Sequence, residues 1–187
     1  IKPFNFNFHL NDKVQELKKE NKSWIVKTTN DKEFSTPNVV IAGGVGSFEP
    51  LKFPTKSAEK FDGKTVLYSI KDKNIFKDKS VAIFGGGDSA LDWAIELSST
   101  SKVSLIHRRD EFRGAAASVQ KIKELSEKNI INLFTKYSIK DVKGNGTLEE
   151  VEIKSEDGES KILKADYVLG FFGLIMQLGP IAEWGLN

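Results

Sequence analysis

Apolar residues along the chain follow two different rhythms. From Lys79 to Asn129 they form two unbroken apolar runs, KSVAIFGGG and KVSLIHRR. Each run is followed by a stretch with apolar residues at every third or fourth position, DSALDWAIELSS and SVQKIKELSEKN. A run that is apolar on successive residues fits a strand buried on both faces, and a 3.6-residue period fits a helix. The order strand, helix, strand, helix predicts a βαβα unit with a parallel sheet, right-handed crossovers and helices on both faces.

The flanks read differently. Between residues 1 and 46 the segments FNFNFHL, KVQELKKEN, SWIVKTT and FSTPNVVIAGG are short strand candidates, with the turn dipeptide Asn30-Asp31 between the last two. Between residues 134 and 173 the segments FTKYSIKDVKGN, LEEVEIKSEDGESKILKA and DYVLGFFG repeat the same order, ending again in an apolar strand and glycine. The second copy completes a nucleotide-binding domain, βαβα first and a three-stranded β-meander after. The first copy lacks a βαβα half of its own. That predicts a chain beginning inside a domain, cut from a longer protein with two related nucleotide-binding domains, one nested in the other. The end, LGPIAEWGLN, is equally abrupt.

The glycines sharpen this picture. VAIFGGGDSALDWA fits the G-x-G-x-x-A dinucleotide fingerprint through Gly85, Gly87 and Ala90, with Gly86 between the first two. The first glycine permits a tight turn, the second lets backbone approach a pyrophosphate, and the small third residue lets helix and strand pack closely. The unpaired N–H groups and positive dipole end of the helix then face the anion, with Asp88 and Ser89 as polar residues at its start. Asp88 sits awkwardly beside a phosphate and reads as a cap or as a group supporting the site from behind, without a ligand role of its own. The fold class predicted is α/β, a Rossmann-like domain with a parallel sheet, helices on both faces and a meander.

Composition narrows the chemistry. Lys and Arg number 28 against 26 Asp and Glu, a net charge of +2, so any anion site must be local. The absence of cysteine excludes disulfides, thiolate metal sites and dithiol redox pairs. The only histidines, His9 and His107, belong to different parts of the pattern, which leaves neither a histidine triad nor a histidine metal cluster; no catalytic acid, base or nucleophile stands out. No apolar run is long enough to span a bilayer, and the first residues lack the organisation of a signal peptide, so the chain reads as soluble and cytoplasmic.

The local basic site is IHRRDEFRG. A site for NAD ends its second strand in a carboxylate that holds the ribose 2′-OH; here that place holds His107, Arg108 and Arg109, with Arg113 four residues on. Guanidinium groups grip a 2′-phosphate through paired, charge-assisted bonds and stack on adenine. The arginines therefore point to NADP(H) over NAD(H). A solvated basic turn offset by Asp110 and Glu111 is the plainer reading of the same residues, and His107 is equally at home as a packing residue with one satisfied nitrogen.

GGGDSALDWA, IHRRDEFRG and IAGGVGSFEP together resemble the thioredoxin-reductase-like flavoproteins and, within that group, the bacterial ferredoxin or flavodoxin NADP reductases; LGPIAEWGL resembles the same branch. HRRxxxR, from His107 to Arg113, is the most specific part of the match. The stretch YSIKDKNIFKDKSV has no CxxC pair where thioredoxin reductases carry one, which excludes dithiol exchange. The resemblance implies that FAD takes hydride from NADPH and passes single electrons to ferredoxin or flavodoxin. It also implies a homodimeric protein in which residues 1–60 are part of an FAD domain, 61–175 bind NADP, and 176–187 return to the FAD domain. The family's FAD glycine loop and Gly-Asp segment are absent, leaving Val14 as an adenine contact and Phe48 beside the flavin as the FAD candidates. Val14 is also an ordinary buried strand residue, and Phe48 an ordinary loop anchor. The Phe171-Phe172-Gly173 run ends the last strand near the cofactor cleft or packs in the core. Two other readings stay open: a nucleotide-sensing module without a flavin, and a nucleic-acid patch at HRRDEFR, the latter lacking interleaved aromatic platforms and overall charge.

Overall fold

A computed structural model describes residues 6–43, 47–177 and 179–186. The chain divides into two compact units, Ile1–Glu49 with Met176–Asn187, and Pro50–Ile175.

The first unit contains β1 (Val14–Glu20), β2 (Ser23–Thr28) and β3 (Glu33–Thr36), antiparallel in that order. Asn21 and Asp31 make the two turns with positive φ angles of 54° and 56°, a conformation that Asn and Asp tolerate better than other side chains. Leu17 lies opposite Val26, and Lys19 opposite Trp24. The sequence expectation was longer at both ends. Phe6–Leu10 form no strand, and β3 stops at Thr36, where Pro37 removes the next ladder donor. β4 (Ser47–Pro50) pairs with β13 (Leu174–Gln177), and a short 3₁₀ turn covers Gly179–Glu183.

The second unit opens with α1 (Lys56–Glu59) and β5 (Val66–Leu67), followed by a 3₁₀ turn at Lys73–Phe76. Next come β6 (Ser80–Gly85), α2 (Asp88–Leu97), β7 (Lys102–His107), α3 (Ala116–Glu127) and β8 (Ile131–Thr135). The meander β9 (Tyr137–Lys143), β10 (Glu150–Ser155) and β11 (Ser160–Lys164) leads into β12 (Tyr167–Phe171). Five strands form a parallel sheet in the order β5-β12-β6-β7-β8.

Alternation along β6 sets the layers. Val81 and Ile83 face α2 and α3 in one fully buried cluster with Leu91, Leu105 and Ile122. Ala82 and Phe84 face the opposite side, in a cluster with Ala58 of α1 and Val142, Val151 and Ile153 of the meander. Both long helices therefore share one face, and the other is covered by the meander with only the short α1. Residues 50–60, grouped in the sequence with the N-terminal part, belong to this unit because Phe53 and Ala58 are buried in its core.

One strand was hidden in the sequence. FTKYSIKDVKGN reads as a single strand, but Lys136, with φ of 60°, breaks it into the end of β8 and the start of β9. β6, β7 and β8 run outward in one direction, and β12 returns to the other side of β6. Strand order thus reverses at β6, the place where open α/β sheets bind ligands. Among the described residues no helix is long and apolar enough to cross a membrane.

Candidate functional site

The carboxyl end of β6 opens into a cleft of about 500 Å³. Its floor is the turn Gly85-Gly86-Gly87, which closes β6 and opens α2. Each glycine is there for a different reason. A Cβ on Gly85 would lie 2.6 Å from the Phe171 carbonyl oxygen and 2.8 Å from the Ala90 Cβ, so helix and sheet approach more closely than side chains allow. Gly86 has its missing side chain replaced by the His107 ring, whose Cε1 would stand 2.2 Å from a Cβ there. Around Gly87 nothing lies within 4 Å, which leaves its backbone open to a ligand. Gly87 is the residue capping α2, and it offers no side-chain bond; helix geometry leaves the first amides without intrahelical acceptors.

The loop after β7 is folded back onto this turn by three attachments. The Arg113 backbone N–H donates to the Gly86 carbonyl at 2.7 Å, and the Ala115 N–H donates to Asp88 Oδ1 at 2.7 Å. The third is His107 itself: its ring stacks on Phe112, with centroids 5.1 Å apart, and its Nε2 stands 3.0 Å from the Glu111 carbonyl. Because a carbonyl only accepts, Nε2 carries the proton. Burial lowers the His107 pKa below its ordinary value; the Glu111 bond opposes this, and the neighbouring Arg109, Arg108 and Arg113 charges lower it further. The ring is therefore neutral at neutral pH, a wedge between the two loops.

Arg108, Arg109 and Arg113 are exposed and line the cleft together with the three glycines. Among the described residues no Asp or Glu lines it. The two nearby carboxylates that might have offset them are otherwise placed: Asp110 pairs with Lys136 at 2.7 Å, a bond that holds its pKa below the ordinary carboxylate value, and Glu111 contributes only its backbone carbonyl. Among the described residues no carboxylate stands within 4.0 Å of any of the three guanidinium groups in an ion pair. A wall of cationic donors facing an open glycine turn is suited to a phosphorylated, dianionic group.

The cleft thus brings together Gly85, Gly86, Gly87, His107, Arg108, Arg109 and Arg113. Asp88, Ser89 and Ala90 lie at the start of α2 without lining it: Asp88 holds the start of α3, Ser89 is exposed, and Ala90 is fully buried beneath Gly85. Asp92, one turn after Asp88, accepts a 3.1 Å bond from the Ser118 hydroxyl and ties the same two helices. Phe171, Phe172 and Gly173 at the end of β12 line the cleft, and so do residues the sequence did not single out, Tyr137, Ser138 and Ile139 of β9 and Leu51, Lys52 and Pro54. No sequence signal marked the β9 group, because the break at Lys136 that brings it to the cleft leaves no trace in the pattern of FTKYSIKDVKGN. Val14 lies in a separate cleft within the first unit, about 440 Å³ in volume and lined mainly by aliphatic residues such as Leu17, Val26 and Ile181. Phe48 falls on β4, but its side chain is outside the described residues.

Residues 1–186 match the family model described as pyridine nucleotide-disulphide oxidoreductase. The chain is 60% identical over its full length to the ferredoxin–NADP reductase of Pelagibacter ubique, covering 55% of that protein. It is 47% identical to ferredoxin–NADP reductase 1 of Christiangramia forsetii, again over its full length and covering 54% of the relative. The chain spans about half the length of the curated relatives it matches. Among solved structures, the thioredoxin reductase of T. acidophilum superposes with a TM-score of 0.79 at 26% identity, over 94% of this chain and 57% of that one. That of Lactococcus lactis gives 0.78 at 23% identity, over the same shares of both chains, a likeness of fold alone.

Proposed function

From the premise that the chain belongs to the pyridine nucleotide-disulphide oxidoreductase family, we propose that its second unit binds NADP(H) in preference to NAD(H). On this reading the unit is the nicotinamide-nucleotide domain of a flavoprotein reductase whose electrons go to ferredoxin or flavodoxin. The observation that carries it is the cleft in which three arginines unpaired with carboxylates face an open glycine turn. Relatives named ferredoxin–NADP reductase support the choice of acceptor, and the stretch YSIKDKNIFKDKSV before the glycine turn offers no CxxC pair for dithiol exchange. When bound, NADP(H) in the second unit would supply hydride chemistry and FAD the conversion between two-electron and one-electron transfer.

The chain's own residues bind and orient. The α2 amino end and Gly87 backbone take the pyrophosphate, and Arg108, Arg109 and Arg113 take the 2′-phosphate. His107 and Asp88 do not touch it; they hold the arginine loop against the glycine turn. In the first unit Val14 is assigned to the adenine of FAD, a reading that its position in an aliphatic cleft supports, with Phe48 assigned beside the flavin. The whole protein on this reading is a cytoplasmic homodimer.

Calorimetric titration with NADP⁺ and NAD⁺ tests the assignment. Arg108→Ala or Arg109→Ala should cost about 1.5–3 kcal/mol of NADP⁺ binding, the worth of a charged hydrogen bond, and leave NAD⁺ nearly unchanged. Equal affinity of the unmutated chain for both nucleotides would remove the role given to the arginines.

A further inference from the structure

We infer that Tyr137 is the platform on which the adenine base of the nucleotide stacks, a specificity contact from the meander; the inference rests on the NADP(H) reading above and gives its adenine end a residue outside the two loops. β7 and β8 run parallel and finish in register, with His107 opposite Thr135. Neighbouring strands lie roughly 4.8 Å apart, so the residues leaving those two ends emerge side by side. On one side these are Arg108 and Arg109; on the other, Lys136 and Tyr137. The Asp110–Lys136 ion pair, at 2.7 Å, joins the two turns, and Tyr137 lines the same cleft as the arginines.

The ring is held in place before any ligand arrives. Phe134 packs edge-on, centroid to centroid at 5.8 Å, and the Tyr137 hydroxyl donates to Glu159 Oε2 at 2.7 Å. Lys161 Nζ stands 5.4 Å from the ring centroid and pairs with Glu159 at 3.4 Å. A ring fixed in this way loses little freedom when a base stacks on it. Position agrees with chemistry. In a dinucleotide fold the adenosine end lies beyond the second strand, here β7, whereas the phenylalanines that line the cleft stand elsewhere: Phe84 near the end of β6 itself, and Phe171 and Phe172 at and just past the end of β12, on the opposite side of β6. The arginines account for the phosphate, and the flat base needs an aromatic or guanidinium face.

The test uses the chain with Tyr137→Ala and Tyr137→Phe, titrated with NADP⁺, NAD⁺ and ribose 2,5-bisphosphate, which carries the sugar phosphates without a base. Tyr137→Ala should weaken NADP⁺ and NAD⁺ by a common factor of about 5 to 100 and leave the base-free probe unchanged, while Tyr137→Phe should stay within about 3-fold of the unmutated chain. Should alanine unfold the chain, Tyr137→Leu gives the same comparison. NADP⁺ binding unaffected by the loss of the ring, or a base-free probe weakened as much as NADP⁺, overturns the inference. Equal binding of NADP⁺ and NAD⁺ by the unmutated chain would instead defeat the arginine assignment, and the response of NAD⁺ to Tyr137→Ala would still decide the role of the tyrosine.

Discussion

Two three-stranded antiparallel meanders in one chain each wall a cleft of comparable size, about 440 Å³ beside β1 and β2 and about 500 Å³ beside β9. Their chemistry is opposite. The first cleft is lined by Val14, Leu17, Val26 and other apolar residues, with Lys13 as the one charged side chain among the described residues; the second has a glycine turn and three arginines. Their foundations differ as well. Val151 and Ile153 of the second meander are fully buried against the parallel sheet, whereas Val26 of the first is half-buried. Strand pairing builds a wall in both places, but the anion-binding character comes from the loops at the carboxyl ends of parallel strands, where backbone amides and guanidinium groups converge.

Three pairs of substitutions would break or sharpen this contrast. The largest effect belongs to the foundations. Ile153→Ala should lower unfolding free energy by about 2–5 kcal/mol, the range for a large aliphatic deleted from a closed core, while Val26→Ala should cost about 1 kcal/mol or less. Urea unfolding curves with comparable m-values would measure both, and similar losses would mean that the two meanders are equally supported.

An intermediate effect falls on the glycine turn. Gly86→Ala drives a methyl into the His107 ring, which is clamped between Gly86 and Phe112, and should cost about 1–3 kcal/mol and weaken NADP⁺ binding as the arginine loop is pushed off. Gly43→Ala in the first unit meets only the tip of Ile181 at 3.3 Å and should be close to neutral. Thermal melts of the pair decide the matter, and equal shifts would remove the wedge role given to His107.

The smallest effect concerns the tether between helices. Asp88→Ala deprives the Ala115 N–H of its acceptor and should cost about 0.5–2 kcal/mol, whereas Asp88→Asn, which keeps an acceptor oxygen, should recover most of it. If both variants lose the same stability in urea, the bond is not what holds α3 to the turn.

Much of the site was legible because its signals are local. Gly85, Gly87 and Ala90 announce a turn between an apolar strand and an amphipathic helix, and Arg108, Arg109 and Arg113 stand where a carboxylate would otherwise follow the second strand. Tyr137 was not legible. It reaches the cleft only because Lys136 adopts a positive φ and because β8 pairs with β7, neither of which leaves a mark in the periodicity of FTKYSIKDVKGN. Asp88 was read as a cap or as a group supporting the site without touching the ligand; its carboxylate does the latter, bonding at the start of α3, but the partner, 27 positions away, is one that no local pattern connects to it. The covering of the second sheet face by the meander was similarly hidden, since a strand that alternates apolar and polar residues does not say which surface it will cover.

By itself the sequence determined what is written in short range. The strand and helix rhythms, the glycine turn, the cluster of guanidinium groups and the absence of thiols all follow from residue type and spacing, because backbone preference and charge act over a few neighbours. The tertiary structure alone decided which of these groups share a cleft. It seated His107 in the space left by Gly86, turned Asp110 away to Lys136 so that the arginines face the cleft without a carboxylate, and carried Tyr137 to their side. Those outcomes depend on close packing and on the register of paired strands, which are set by contacts between residues far apart in the chain.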